Sequence, residues 1–171
     1  THLFNAMSGV DHHAPGLTVA ALTADDVYVE LIADGHHVHP GAMAVLARAK
    51  GPGGVVLISD AVRAAGRPEG EVDLGGRAAQ HCCGAVRLAD GRLAGSVLTL
   101  DVAVRRFAAA TGWGWSDLGR AAAGNAADAL GLSAKGRLTA GADADLVLVG
   151  DDGAGSVLLT VVEGRIVHDR R

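Results

Sequence analysis

The sequence predicts an α/β fold: a parallel sheet backed by helices, followed by a small all-β appendage. Three observations carry this. Short β-branched apolar runs flank a helical pattern between residues 27 and 60, each run stops at an acid, and from residue 145 onward the pattern changes to strand, turn and strand.

Residues 27–33 (Val-Tyr-Val-Glu-Leu-Ile-Ala) end at Asp34-Gly35 and predict a buried strand. Pro40 then opens a helix through Lys50, with Met43, Val45, Leu46 and Ala49 apolar and Gly51 just past its end. Gly54 to Ser59 forms a second apolar run that stops at Asp60. Strand, helix, strand in this order builds a parallel sheet, and in such sheets chemistry gathers at the carboxyl ends of the strands. Residues 67–94 are Gly-rich, with short alternating pieces at 71–74 and 85–88 and Asp90-Gly91 as a hairpin turn before Leu93. Helical spacing returns at 99–111, where Leu100, Val104, Phe107 and Ala108 share a face. Two further helices are predicted at 116–123 and 125–131, the second closed by Gly131. The tail reads as strands at 145–149, 157–162 and 165–167, with Glu163-Gly164 as a tight turn. No repeat recurs at a fixed period.

Composition narrows the function classes. The 171 residues are 49% hydrophobic and 20% charged, enough to bury a core. Lys and Arg number 15 against 19 for Asp and Glu, a net charge of -4, which argues against nucleic acid or an anionic membrane as a partner. Aromatic residues are 3% of the chain, too few for a base-stacking platform. No apolar run approaches the roughly 18 residues of a membrane span, and no basic-then-apolar leader opens the chain. A soluble, cytoplasmic protein is expected. Cys82 and Cys83 are adjacent; on a strand they would face opposite ways, so they predict two core-filling thiols in a reducing compartment, not a disulfide or a chelating pair. The chain opens on Thr1, not Met, and a piece of a longer protein is the expectation.

The histidines cluster. Six of the eight (His2, His12, His13, His36, His37, His39) fall in the first 39 residues, where an even spread would put about two. Imidazole is the commonest divalent-metal ligand and the usual acid–base group near neutral pH. His37 and Asp60 each follow a predicted strand, and His2 reads as lying at a strand end, so the three can converge at one sheet edge. The alternatives stay open on these grounds: His2 as a hydrogen-bonded loop histidine, and Asp60 as a cap for the following turn.

Four segments add a resemblance. Thr1-His2-Leu3-Phe4-Asn5-Ala6-Met7, then Ile32-Ala33-Asp34-Gly35-His36-His37-Val38-His39-Pro40, Leu57-Ile58-Ser59-Asp60-Ala61 and Leu93-Ala94-Gly95-Ser96 resemble the N-acetylglucosamine-6-phosphate deacetylase family. The closing Gly136-Arg137-Leu138-Thr139-Ala140-Gly141-Ala142-Asp143-Ala144-Asp145-Leu146-Val147 is similar to the end of many amidohydrolase-superfamily enzymes. The resemblance covers essentially the whole chain. It implies the C-terminal half of a TIM-type (β/α)8 barrel, residues 1–137, followed by the C-terminal strands of a small β-sandwich, residues 138–171. It also implies hydrolysis of the N-acetyl amide of an amino-sugar phosphate, with a homodimer expected for the full-length protein. His2 falls on a metal ligand of the family, Asp60 on its catalytic aspartate and His37 on a histidine that contacts substrate. Asn5 and Ala6 match positions at the sugar phosphate. One departure concerns the phosphate: many members carry Arg-Glu-Pro-Gly where this chain reads His13-Ala14-Pro15-Gly16, so His13 stands in for a permanent bidentate cation.

Zinc is the expected ion, although iron, manganese or cobalt would suit the same nitrogen and oxygen ligands. The family's glutamate and second histidine ligands come from earlier strands, outside this chain, so the isolated chain is expected to be inactive. Two other readings compete: a different amidohydrolase, such as a cyclic-amide hydrolase or deaminase, and a non-catalytic half-barrel remnant.

Overall fold

Val29–Ile32 (β1) and Val55–Ile58 (β2) pair in parallel, Val29 opposite Val55 and Ile32 opposite Ile58. This computed structural model describes residues 1–151 and 155–171. Between the two strands runs α2, Pro40–Lys50. It starts where the sequence predicts, because Pro40 supplies a preset φ and His39 caps it, accepting the Gly41 N–H on Nδ1 at 3.0 Å. Before β1 lies α1, Gly16–Thr23, which the hydrophobic pattern did not signal. Its sequence, Gly-Leu-Thr-Val-Ala-Ala-Leu-Thr, offers no polar face against which a 3.6-residue period would stand out.

Both faces of β1 and β2 are covered. Leu31, Ile32, Val55, Leu57, Met43, Leu46 and Phe107 form one buried cluster with Leu3, Ala103, Leu118 and Ala121. Phe107 belongs to α3, Leu100–Thr111, and meets Trp113 edge-on with ring centroids 5.1 Å apart. α3 is followed by α4 (Trp115–Gly119), a π-helical turn over Arg120–Gly124 and α5 (Asn125–Ala129), so the two helices predicted for this stretch are one run with a wide turn inside it. Asn125 is buried, and its amide donates to the Pro52 and Val55 carbonyls, both at 2.7 Å, tying that run to the start of β2.

Residues 67–96 build a sheet of their own. β3 (Gly70–Asp73), β4 (Ala78–Cys82), β5 (Ala85–Leu88) and β6 (Leu93–Ser96) pair antiparallel in chain order over a small second core of Ala64, Ala79 and Val86. The Asp90-Gly91 turn forms as expected, with Gly91 at φ 84°. A third sheet, β7 (Leu146–Val149), β8 (Val157–Val162) and β9 (Arg165–Asp169), closes the chain with the Glu163-Gly164 turn at positive φ. None of its described residues joins either buried cluster. Among the described residues, no helix is long and apolar enough to cross a membrane.

The vicinal cysteines depart from the sequence reading. Only Cys82 lies on a strand; Cys83 and Gly84, at φ 56° and 76°, are the central residues of the β4–β5 turn, with Cys82 paired to Ala85. Positive φ at both positions is the type I′ hairpin geometry. Strand alternation therefore stops at Cys82. Both thiols are exposed and not core-filling, and their Sγ atoms lie 2.8 Å apart.

Candidate active site

Alternate backbone groups of a strand point to opposite sides. In β1 the Val29 N–H bonds Gly54 on the β2 side, and the Glu30 carbonyl faces the other way, where it accepts the Leu3 N–H at 2.8 Å. The first residues thus dock on the edge of β1 opposite β2, anchored by buried Leu3. On the far side of β2, Ser96 pairs in parallel with Ala61; its N–H donates to the Asp60 carbonyl, its carbonyl accepts from Val62, and its hydroxyl donates to the Ser59 carbonyl. Residues 1–3, β1, β2 and Ser96 stand side by side. Gly95 makes this junction possible: at φ 87° a Cβ would overlap Val62 and crowd the Asp60 carbonyl at 3.4 Å.

His2 follows the strain of its segment. His2, Phe4 and Ala6 have φ of 37°, 74° and 55°, uncommon for side-chain-bearing residues, while Leu3 and Asn5 between them are not in that region. The His2 ring sits with Nδ1 3.0 Å from the Asn5 carbonyl. A carbonyl only accepts, so Nδ1 carries the proton and the neutral ring presents its lone pair at Nε2. Holding one ring nitrogen on a carbonyl is how proteins orient a ligating histidine. The backbone N–H groups of Leu3 and Asn5 are committed within the fold, Leu3 to the Glu30 carbonyl at 2.8 Å and Asn5 to the His2 carbonyl at 2.9 Å. The Asn5 side-chain amide donates to the Leu3 carbonyl at 3.2 Å, and Ala6 follows, exposed.

His37 is held by Asp34, a residue the sequence reading did not single out. Asp34 Oδ1 accepts the backbone N–H groups of His36 and His37, both at 2.8 Å, and Oδ2 lies 2.6 Å from His37 Nδ1. The side chains are 5% and 2% exposed. Burial alone would raise the Asp34 carboxyl pKa, but the His37 ring and the two backbone N–H groups outweigh it and hold it below the ordinary carboxylate value. An ionised carboxylate only accepts, so His37 Nδ1 is the protonated nitrogen and Nε2 is left for other partners. Arg106 of α3 donates to the Asp34 carbonyl and pins the same turn from behind. The signal was available: an aspartate ending a strand, two and three residues before the N–H groups it accepts, is the local pattern of an Asx turn.

Asp60 follows β2 at φ 47° and is exposed. His37 and Asp60 thus follow the carboxyl ends of β1 and β2, and His2 precedes the residue that docks on β1. His13 stands apart in the exposed loop before α1, its N–H donating to Asp11 Oδ1 at 2.7 Å and its ring 3.8 Å from that of His12. Of the other clustered histidines, His39 caps α2, and His36 lies against the β4–β5 turn, its Nε2 3.4 Å from where a Cβ on Gly84 would stand. Among the described residues, the set of three metal-ligating groups with atoms within 4.8 Å of one another is Glu69, Cys82 and Cys83; His2 is in no such set.

The arrangement defines an α/β protein with titratable groups that follow the carboxyl ends of parallel strands. Residues 1–167 match the amidohydrolase family, and the chain belongs to it. It is 41% identical over 167 residues, 97% of its length, to N-acetylglucosamine-6-phosphate deacetylase of Bacillus subtilis (strain 168), of which it spans 42%. The crystal structure of the Thermotoga maritima N-acetylglucosamine-6-phosphate deacetylase superposes with a TM-score of 0.94 at 36% identity, covering 99% of this chain and 46% of that one. An Asp-to-Ala mutant of the Mycobacterium smegmatis enzyme, in complex with N-acetyl-D-glucosamine-6-phosphate, matches with a TM-score of 0.90 at 37% identity, over 97% of this chain and 44% of that one. The chain thus spans less than half the length of each of these relatives.

Proposed function

We propose that the protein to which this chain belongs hydrolyses the N-acetyl amide of N-acetylglucosamine 6-phosphate, releasing acetate and glucosamine 6-phosphate. The observation that carries the reading is placement: His2, with Nε2 open, belongs to the segment docked on β1, while His37, clamped through Nδ1, and Asp60 follow the carboxyl ends of β1 and β2. Residues 1–137 are the later strands and helices of a (β/α)8 barrel, and 138–171 are C-terminal strands of a small β-sandwich. The parallel β1–β2 pair and the unburied β7–β9 sheet support that division.

His2 fits one position in a metal shell, because its anchored tautomer leaves Nε2 as a ligand. A divalent ion, zinc first, or iron, manganese or cobalt, supplies a polarised carbonyl and a water of lowered pKa when bound. Asp60 takes the proton of the attacking water on a carboxylate oxygen and returns it to the leaving amine nitrogen. His37, braced by Asp34 through Nδ1, turns Nε2 toward the carbonyl oxygen and steadies the negative charge that grows there. Asn5 and Ala6, at the positions that the resemblance places against the sugar phosphate, contact that group, with His13 a titratable second contact in place of the family's arginine. Two cysteines in 171 residues, with no framework of separated pairs, suit a reducing, cytoplasmic setting.

The test is acetate release from the phosphorylated and the plain sugar by the complete protein. Asp60→Asn should keep its metal content and lose about two to four orders of magnitude in turnover. His2→Ala should lose metal, more severely at low pH, since ligation needs the neutral ring. Near-normal turnover in Asp60→Asn would remove that residue from the chemistry, and equal rates on both sugars would remove the phosphate from the substrate.

A further inference from the structure

We propose that Glu69, Cys82 and Cys83 form a second metal site, two thiolates and a carboxylate at the tip of the β4–β5 hairpin, that takes a thiophilic divalent ion such as zinc. The site shares no residue with the set of His2, His37 and Asp60, and it stands independently of the hydrolase reading.

Three observations build it. One ligand atom from each residue lies within 4.8 Å of the other two, and all three side chains are exposed, so an ion can enter without unfolding anything. The backbone is committed to the arrangement: the type I′ turn puts Cys83 at φ 56°, which swings its thiol to the Cys82 side, and the Cys83 N–H donates to Glu69 Oε1 at 2.6 Å. That bond draws the Glu69 carboxylate to the hairpin tip across 14 residues of chain, within 4.8 Å of both sulfurs. The third observation is His36, whose Nε2 stands 3.4 Å from the Cβ position of Gly84 and borders the same turn.

Distances separate an ion from a disulfide. Adjacent residues in a trans peptide have Cα atoms about 3.8 Å apart, short of the roughly 4.4 Å at which disulfides begin to fit. Two sulfurs on a tetrahedral zinc, each about 2.3 Å from it, stand about 3.8 Å apart. From the observed 2.8 Å, rotation of two exposed side chains opens that gap with no backbone movement. Thiolates with a carboxylate are a donor set for zinc-like ions and a poor one for magnesium or calcium. A water completes the shell, or the His36 ring does if it turns inward. In the second case the ion would tie the hairpin to the loop that carries His37.

Cobalt(II) reads thiolate ligation directly, through a sulfur-to-metal charge-transfer band that histidine and carboxylate ligands do not produce. Titration of the reduced complete protein with cobalt(II) under argon should raise that band to a plateau at one equivalent of thiolate-bound ion, and zinc should abolish it. The band should vanish in Cys82→Ser and in Cys83→Asn, the latter chosen because asparagine tolerates the positive φ and keeps the turn. It should weaken in Glu69→Gln and persist in His2→Ala, which separates this site from the one at the strand edge. Absence of the band in the reduced protein would overturn the proposal, and so would its survival when both cysteines are replaced. Equal cobalt affinity in Glu69→Gln would remove the carboxylate from the site.

Discussion

Asp34 shows how a single buried carboxylate can set the state of a neighbour. Its Oδ2 holds His37 Nδ1 at 2.6 Å, and two backbone N–H groups hold its Oδ1. Its pKa in the folded chain lies below the unfolded value of about 3.9. The contribution to stability is therefore complete above that value and is lost as pH falls through the lower folded pKa. Asp34→Asn should flatten the fall in denaturation midpoint between about pH 5 and pH 2 and, in the complete protein, lower the proposed hydrolysis about tenfold to a hundredfold by freeing the His37 ring. An unchanged acid profile would show that the pair carries no linkage. The motif around His37 and the Asx-turn pattern of Asp34 were legible in the sequence; that the second carboxylate oxygen would reach the His37 ring was not, because that contact depends on how tightly the turn closes. Cys83 makes the same point: its neighbour Cys82 obeys strand alternation, and one residue later a left-handed φ cancels the rule.

Among the elements, α2 was readable to the residue. Pro at its first position, a capping side chain before it and Gly51 at φ 62° after it are local signals that need no tertiary partner. β4 was not readable: Ala-Ala-Gln-His-Cys has little β propensity, and the strand exists because β3 and β5 pair with it on both sides. The helical run 115–129 was read as two helices because the π turn between them widens the period. Asn125 at its end is the residue that locks this run to the sheet. Asn125→Ala should destabilise the chain by about 1–3 kcal/mol, since two buried carbonyls lose their donor; the orphaned Asn125 Oδ1, buried without a partner, offsets part of that cost. Urea midpoints on wild type and variant would check this, and a loss below about 0.5 kcal/mol would mean that water replaces the amide.

Across the whole molecule, burial is uneven. Phe107 is fully buried in the large cluster, while Ile166 of β9 is 59% exposed and touches neither core. Phe107→Ala should cost about 3–5 kcal/mol, within the range for an aromatic removed from a packed core. Ile166→Ala should stay within about 0.5 kcal/mol, as surface changes do. Amide exchange should follow the same division, slowest in β1 and β2 and faster in β7–β9. Comparable protection in all three sheets would mean that β7–β9 gains packing in solution that this chain's own residues do not show.

Features readable from the residues alone are local or chemical: the apolar runs that became β1 and β2, the turns at Asp90-Gly91 and Glu163-Gly164, the helix at 40–50, and the concentration of histidine near the start. These follow from side-chain periodicity and φ preferences, which act over a few residues. Packing between distant segments set the rest: residues 1–3 lie on the edge of β1 opposite β2, Ser96 closes the other side of β2 beside Asp60, and Glu69 reaches across to Cys83. Each of those is a hydrogen bond between segments 14 to 37 residues apart. The free energy of such a bond depends on where the rest of the chain packs, and no window of sequence contains that information.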